Sequence, residues 1–287
     1  MNTHAPAPRF KAALVQLRSG RDVATNISGA SDLIRAAAAA GADYIQTPEN
    51  TQIMELEKPR LMAQLQPEPG NAAIAAFSGL AGELKRWLHI GSLAVKCDDG
   101  KIANRSFLFA PDGAIAARYD KIHMFDVDLG NGEAYRESAT YQPGAKAVLA
   151  ELPWGKLGMT ICYDLRFPAL HRALAQGGAS FIAVPAAFTR ITGEAHWITL
   201  LRARAIEAQC FVLAAAQGGK HENGRETFGH SVIIAPWGEI LAEANTDPGF
   251  VMAEIDVAKV AEARRKVPSL QHDRAFTVVN AVRESVG

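Results

Sequence analysis

Short apolar runs of strand length alternate along the chain with longer stretches in which apolar and small residues share one helical face. KAALVQL (11–17) predicts a first strand. DVATNISGASDLIRAAAAAG (22–41) predicts a helix, because good helix formers run through Ala40 and Gly41 suits its C-terminal cap. ADYIQTPEN (42–50) predicts a strand ended by Pro48, and NAAIAAFSGLAGELKRWL (71–88) a second helix. HIGSLAVK and IANRSFLFA flank the turn CDDG and predict a hairpin. A further turn, PDG (111–113), leads into AIAARYDKIHMF.

The second half repeats the alternation. AKAVLAEL and KLGMTICYD read as strands joined by the turn PWG, and FPALHRALAQGG (167–178) reads as a helix. SFIAVPAA is a strand and EAHWITLLRARAIEAQ (194–209) a strongly amphipathic helix. FVLAAAQ, GHSVIIAP and GFVMAEI follow as strands, with PWGEI supplying a turn, and from Asp256 the chain forms a short helix and an irregular tail. There is no short repeat and no linker rich in Gly, Pro or Ser. The pattern predicts one α/β domain in which helices cover sheet faces.

Composition narrows the classes. Lys plus Arg and Asp plus Glu are equal at 30 each, so no basic excess points to nucleic acid or to an anionic membrane. A chain so near neutrality gains little colloidal protection, and self-association is expected. Cys97, Cys162 and Cys210 are too few and too scattered for a disulfide framework, and none forms a CxxC or Cys/His metal spacing. They suit a reducing compartment. No signal-peptide-like apolar segment opens the chain and no apolar run reaches membrane-spanning length, so a soluble, cytoplasmic protein is expected.

Three strand ends carry unusual chemistry: Thr47-Pro48-Glu49, Tyr119-Asp120-Lys121, and Cys162-Tyr163-Asp164. Taken singly, each has an ordinary structural reading: a solvated loop carboxylate, a surface lysine, a buried thiol. Together they form a sufficient set for acyl transfer from an amide. A thiol is mostly protonated at pH 7 and needs an adjacent base. A glutamate in a partly apolar pocket has a raised pKa and can serve. A lysine ammonium and a backbone N–H can hold the oxyanion of the tetrahedral intermediate.

The order Pro48-Glu49, then Tyr119-Asp120-Lys121-Ile122-His123-Met124-Phe125-Asp126, then Cys162-Tyr163-Asp164-Leu165-Arg166-Phe167-Pro168, resembles the nitrilase (carbon–nitrogen hydrolase) superfamily. The resemblance spans residues 9–276, leaving 1–8 as an N-terminal arm and 277–287 as a C-terminal tail. It implies a four-layer αββα sandwich that pairs into a homodimer and needs neither cofactor nor metal. It implies Glu49 as general base, Lys121 as oxyanion stabiliser, Cys162 as nucleophile and the Tyr163 backbone N–H as second oxyanion donor. Similar enzymes carry a second glutamate that positions substrate and supports the lysine. Glu137, placed before Pro143-Gly144, matches that position, with Glu133 as the competing residue. Thr47 departs from the bulkier apolar residue found in many members.

The segment from Val184 to Leu241 resembles the Nit-type amidases, particularly the branch acting on deaminated glutathione. The neighbouring omega-amidase branch shares the His196-Trp197 and Arg202-Ala203-Arg204-Ala205 elements. The tail Gln271-His272-Asp273-Arg274 leans to the first branch, although Asp273 stands where arginine is expected. Both substrates carry a 2-oxoglutaramoyl group whose carboxylate needs a cation. Arg166 is the first candidate, against a structural ion pair with Asp164. His196 and Trp197 would sit beside the substrate. Arg190, Lys220, His221 and Arg225 lie in expected loops and could meet a peptide-like end. Three rival classes remain: a catalytically silent protein on the same fold, a Cys–His hydrolase using His123 or His230, and a zinc enzyme, disfavoured because no HExxH occurs.

Overall fold

The computed structural model describes residues 8–130 and 133–280. Residues 1–7 of the expected arm and 281–287 of the expected tail lie outside the described residues. The first half of the chain runs β1 (Arg9–Gln16), α1 (Val23–Ala39), β2 (Tyr44–Gln46), α2 (Lys58–Gln64), α3 (Ala72–Leu84), β3 (Trp87–Lys96), β4 (Ile102–Phe109) and β5 (Ile115–Asp120). These strands join Gly249–Asp256 and the short Tyr141–Gln142 in a seven-stranded sheet. The neighbours β1, β2 and β3 are parallel, and β3, β4 and β5 form an antiparallel meander. A second, six-stranded sheet has the parallel strands Gly155–Met159, Ala179–Ala183 and Phe211–Ala214 at its centre.

Period-two alternation decides which layer each side chain enters. In β1, Ala13 and Val15 meet Ala30, Ile34 and Ala37 of α1 and Phe77 of α3, while Ala12 and Leu14 face Leu157, Met159 and Phe181 of the second sheet. Helices α4 (Pro168–Gln176) and α5 (Arg190–Ala208) cover the outer face of that second sheet, and α6 (Ala258–Lys266) packs at its margin. The result is the expected single-domain αββα sandwich. No helix among the described residues is long and apolar enough to cross a membrane.

Local chemistry sets the element ends. Asp22 caps α1 by accepting from Thr25 N, and Gly41 follows the helix at φ 93°, a conformation that favours glycine. The second helix ends at Leu84, short of the expected 88, because Lys85 turns left-handed and Trp87 enters a strand. α5 begins at Arg190, four residues before the expected start, because the Thr189 hydroxyl accepts from Thr192 N. Its apolar face (Trp197, Leu201, Ala205, Ala208) is buried, while Ile191 and Ile206 point outward. Helix α2, with Pro59 in its first turn, was not signalled by the periodicity.

Candidate active site

The carboxyl ends of the parallel strands of both sheets open on one cavity of about 300 Å³. Glu49 stands three residues past β2, and Lys121 directly follows β5. Cys162 lies three residues beyond Gly155–Met159 and opens a short 3₁₀ turn, Cys162–Arg166. The backbone of Cys162 is left-handed at φ 49°, a conformation costly for a residue with a Cβ. Its N–H donates to the Pro185 carbonyl at 2.9 Å, which holds the turn against the neighbouring strand's extension. No acceptor among the described residues takes the Tyr163 N–H.

Lys121 is 2% exposed and saturated by carboxylates. Its Nζ donates to Glu49 Oε1 and to both oxygens of Glu137, each at 2.9 Å. Glu137 Oε2 also accepts from Phe125 N at 2.6 Å. Glu133 lies apart: among the described residues its carboxylate accepts from the Tyr135 hydroxyl at 3.0 Å and does not reach Lys121. The second carboxylate on the lysine is therefore Glu137, as its place in the sequence implies.

Two groups that sequence reasoning did not find complete the cluster. Asn104, on β4, donates from Nδ2 to Glu49 Oε1 at 2.9 Å and to Glu137 Oε1 at 3.3 Å. Its carbonyl accepts from Lys121 N. The Ala187 N–H, just past Ala179–Ala183, donates to Glu49 Oε2 at 2.9 Å. An asparagine inside a hairpin strand and an alanine backbone carry no signal of their own in one sequence.

The charges around Glu49 reverse its expected pKa. Burial does push its carboxyl up, but the Lys121 ammonium, hydrogen bonds to Lys121 and Cys162, and the Arg225 charge outweigh it and hold the group below its ordinary value. The Cys162 thiol moves the other way. Burial and the facing Glu49 charge raise it far above the ordinary thiol range, against the pull of Lys121. Burial also opposes the charge on Lys121, yet Glu137 and Glu49 keep it ionised well above its usual range. At rest Cys162 is thus a thiol facing a carboxylate, and any attack by its sulfur requires the proton to leave.

Asp164 couples the two halves of the site. It is fully buried and accepts from Tyr119 Oη at 2.7 Å, Ile161 N at 2.8 Å, His123 N at 3.1 Å and His123 Nδ1 at 2.7 Å. It thereby ties the turn carrying Cys162 to the strand end carrying Lys121. The expected alternative, an Asp164–Arg166 pair, does not form. His123 leaves the strand at Lys121, stacks on Phe167 and stays outside the cavity lining. His230 is held by the Phe228 carbonyl at 2.7 Å and is also outside it. Neither imidazole serves the thiol, which removes the basis for a Cys–His pair.

The expected substrate contacts need correction. Arg166 lies behind the cavity wall, with its guanidinium 5.1 Å from the Phe188 ring centroid and Nη1 3.4 Å from His196 Nδ1. His196 faces outward. Trp197 is fully buried, donates to the His230 carbonyl and packs on Phe188, so it supports the wall and does not line it. The cause is helix phase: α5 turns Trp197 to the core and His196 to the surface. Arg190 pairs with Glu194 and Glu226 on the surface, and Lys220 is exposed. His221 is buried between the Ser19 carbonyl and the Thr227 hydroxyl, and burial lowers its pKa to about 4. Of the four loop residues, only Arg225 lines the cavity.

The departures from the family pattern have local accounts. Thr47 Oγ1 accepts from Gly91 N at 3.1 Å and meets Thr51 Oγ1 at 2.7 Å, bracing the loop that carries Glu49. Asp273 pairs with Arg172 of α4 and fastens the C-terminal segment there.

Residues 11–265 match the family model described as "Carbon-nitrogen hydrolase". The deaminated glutathione amidase of Synechocystis sp. is 40% identical over 271 residues, covering 92% of this chain and 97% of that protein. The omega-amidase of Homo sapiens is 35% identical over 268 residues, covering 93% of this chain and 95% of its own length. Among solved structures, Saccharomyces cerevisiae Nit3, described as a member of branch 10 of the nitrilase superfamily, superposes with a TM-score of 0.84. It is 29% identical and covers 93% of this chain and 97% of its own.

Proposed function

The chain belongs to the carbon–nitrogen hydrolase family and is an amidase, and from that premise we propose that it hydrolyses the amide of a 2-oxoglutaramoyl compound, with deaminated glutathione as substrate. The observation that carries the chemistry is the clamp of Lys121 Nζ on Glu49 and Glu137 at 2.9 Å, beside the buried Cys162 thiol. Glu49 takes the thiol proton as sulfur attacks the amide carbon. As Glu49 gains that proton its hold on the Lys121 ammonium loosens, and the freed N–H joins the Tyr163 N–H in holding the oxyanion. Glu49 returns the proton to the departing nitrogen, the C–N bond breaks, and Cys-Gly leaves. Water then attacks the thioester while Glu49 accepts its proton. The C–S bond breaks, the sulfur is reprotonated and 2-oxoglutarate is released. Glu137 keeps the ammonium in place throughout.

The activity belongs in the cytoplasm and in a homodimer. The three unpaired cysteines support a reducing compartment. Outward-facing Ile206 and the neighbouring exposed Trp237 support an apolar contact between copies. The substrate assignment is tested by mass spectrometry of products from deaminated glutathione and, separately, 2-oxoglutaramate, with Cys162→Ala as blank. Strong preference for the peptide-containing amide is expected. Preference for 2-oxoglutaramate would place the chain with the omega-amidases. Turnover by Cys162→Ala equal to wild type would end the thioester mechanism.

A further inference from the structure

A substrate with a carboxylate needs a cavity cation that the protein has not already neutralised. Lys121 is unavailable because two carboxylates saturate it. Lys58, Arg136 and Arg225 also line the cavity. Lys58 and Arg136 are exposed at its rim and donate to backbone carbonyls. Arg225 is half-buried, and no carboxylate among the described residues lies within ion-pair distance of it.

The guanidinium of Arg225 is placed by the catalytic residues' own framework. Among the described residues it makes one side-chain hydrogen bond, from Nη2 to the Ala187 carbonyl. The N–H of that same alanine holds Glu49. Its plane is steadied by the Tyr135 ring, with the carbon 5.2 Å from the ring centroid. Among the described residues its buried Nε meets no acceptor, so the guanidinium's donors are not all spent on the protein. The charge stands near enough to Glu49 to help keep that carboxyl ionised.

We propose that Arg225 anchors the carboxylate at the acyl end of the substrate and sets the preference for amides that carry one. The proposal rests on the amidase reading and on its carboxylate-bearing substrate class. The acyl end is assigned because it must stay fixed while the thioester persists, which suits a half-buried group on a rigid backbone partner. The leaving amine must escape first, and the exposed rim at Lys58 and Leu56 suits its exit.

The experiment compares glutaramate with pentanamide, which match in length and differ in carboxylate against methyl. The wild type is expected to favour glutaramate. In Arg225→Met the ratio of kcat/KM for glutaramate to that for pentanamide should fall about 100-fold, chiefly through KM for glutaramate, as for loss of a charged hydrogen-bonded pair. Arg225→Lys should lie between, since it keeps the charge without the planar fork. A ratio unchanged in Arg225→Met would overturn the proposal, even if overall activity falls, because Arg225 would then act only through Ala187 and Glu49. A wild-type enzyme favouring pentanamide would instead remove the carboxylate-substrate reading, and Arg225's role with it. Turnover of 2-oxoglutaramate by Arg225→Met separates the two ends: retention at wild-type KM would move the anchored carboxylate to the leaving group and refute the acyl-end assignment.

Discussion

Replacing Glu137 with Gln keeps the side chain's shape and removes its charge. Lys121 is then left with Glu49 as its carboxylate partner. At 2.9 Å and an effective dielectric of about 20, a unit charge pair interacts by roughly 6 kcal/mol. Part of that is offset, because the variant no longer has a carboxylate to desolvate. Breaking one partner from a buried ion pair costs about 3–5 kcal/mol in measured cases. Since Lys121 retains Glu49, the lower end applies. The new amide also cannot accept from Lys121 and Phe125 N on both of its atoms, so a donor must face a donor.

With the Lys121 ammonium proposed to hold the oxyanion, a loss of about 3 kcal/mol in keeping it placed corresponds to roughly a 100-fold fall in kcat. KM should change less than kcat, because the Glu137 carboxylate, though it lines the cavity, is held chiefly by Lys121, Asn104 and Phe125 N. The assay is steady-state formation of 2-oxoglutarate from deaminated glutathione, with Glu133→Gln in parallel and a thermal melt to confirm folding. Among the described residues the Glu133 carboxylate reaches the Tyr135 hydroxyl and not Lys121, so its variant should stay within about twofold of wild type. The reasoning fails if Glu137→Gln keeps wild-type kcat, or if Glu133→Gln is the more damaging change.

Two further outcomes follow from the same geometry. Glu49 is held below the ordinary carboxylate value of 4.5, so the acid limb of kcat/KM should lie below that pH; stability contributed by its ionised form is present above 4.5 and lost as pH falls through the lowered value. Asn104→Leu removes a donor to that carboxylate and should move the acid limb upward, whereas damage to packing alone would lower the rate at every pH. Gly91→Ala would place a Cβ 2.2 Å from the Thr47 carbonyl oxygen and 2.6 Å from the Pro48 carbonyl carbon. The Glu49 loop must then shift, so activity should fall at least about tenfold and the melting temperature should drop; an unchanged melt with full kcat would contradict that fit.

Hydrophobic periodicity and turn residues suffice for the layered α/β architecture, because each depends on neighbours a few positions away. The hairpin around CDDG, the helix opened by Asp22 and the strand ahead of Cys162 all follow from such local preferences. Weakly patterned pieces escape this reading: α2 has too few buried positions to set a period, and the strands Asp126–Asp128 and Ala134–Arg136 owe their form to pairing with each other. Glu49, Lys121 and Cys162 were legible because each sits in a short run of chemically unusual residues at a strand end.

Only tertiary structure could decide what surrounds them. Glu49 meets Lys121 across 72 positions, where β2 and β5 end on one sheet, and Ala187 across 138, where the second sheet packs against the first. That assembly singles out Glu137 over Glu133 and brings Asn104 of β4 between the carboxylates. It also leaves Arg225 on the cavity wall and turns Arg166, His196 and Trp197 away from it. The Glu49 pKa shows the distinction most directly. Burial by itself predicts a raised value, and that much is inferred from an apolar neighbourhood in the sequence. The actual direction depends on charge separations of a few ångströms, which exist only once distant strands are assembled.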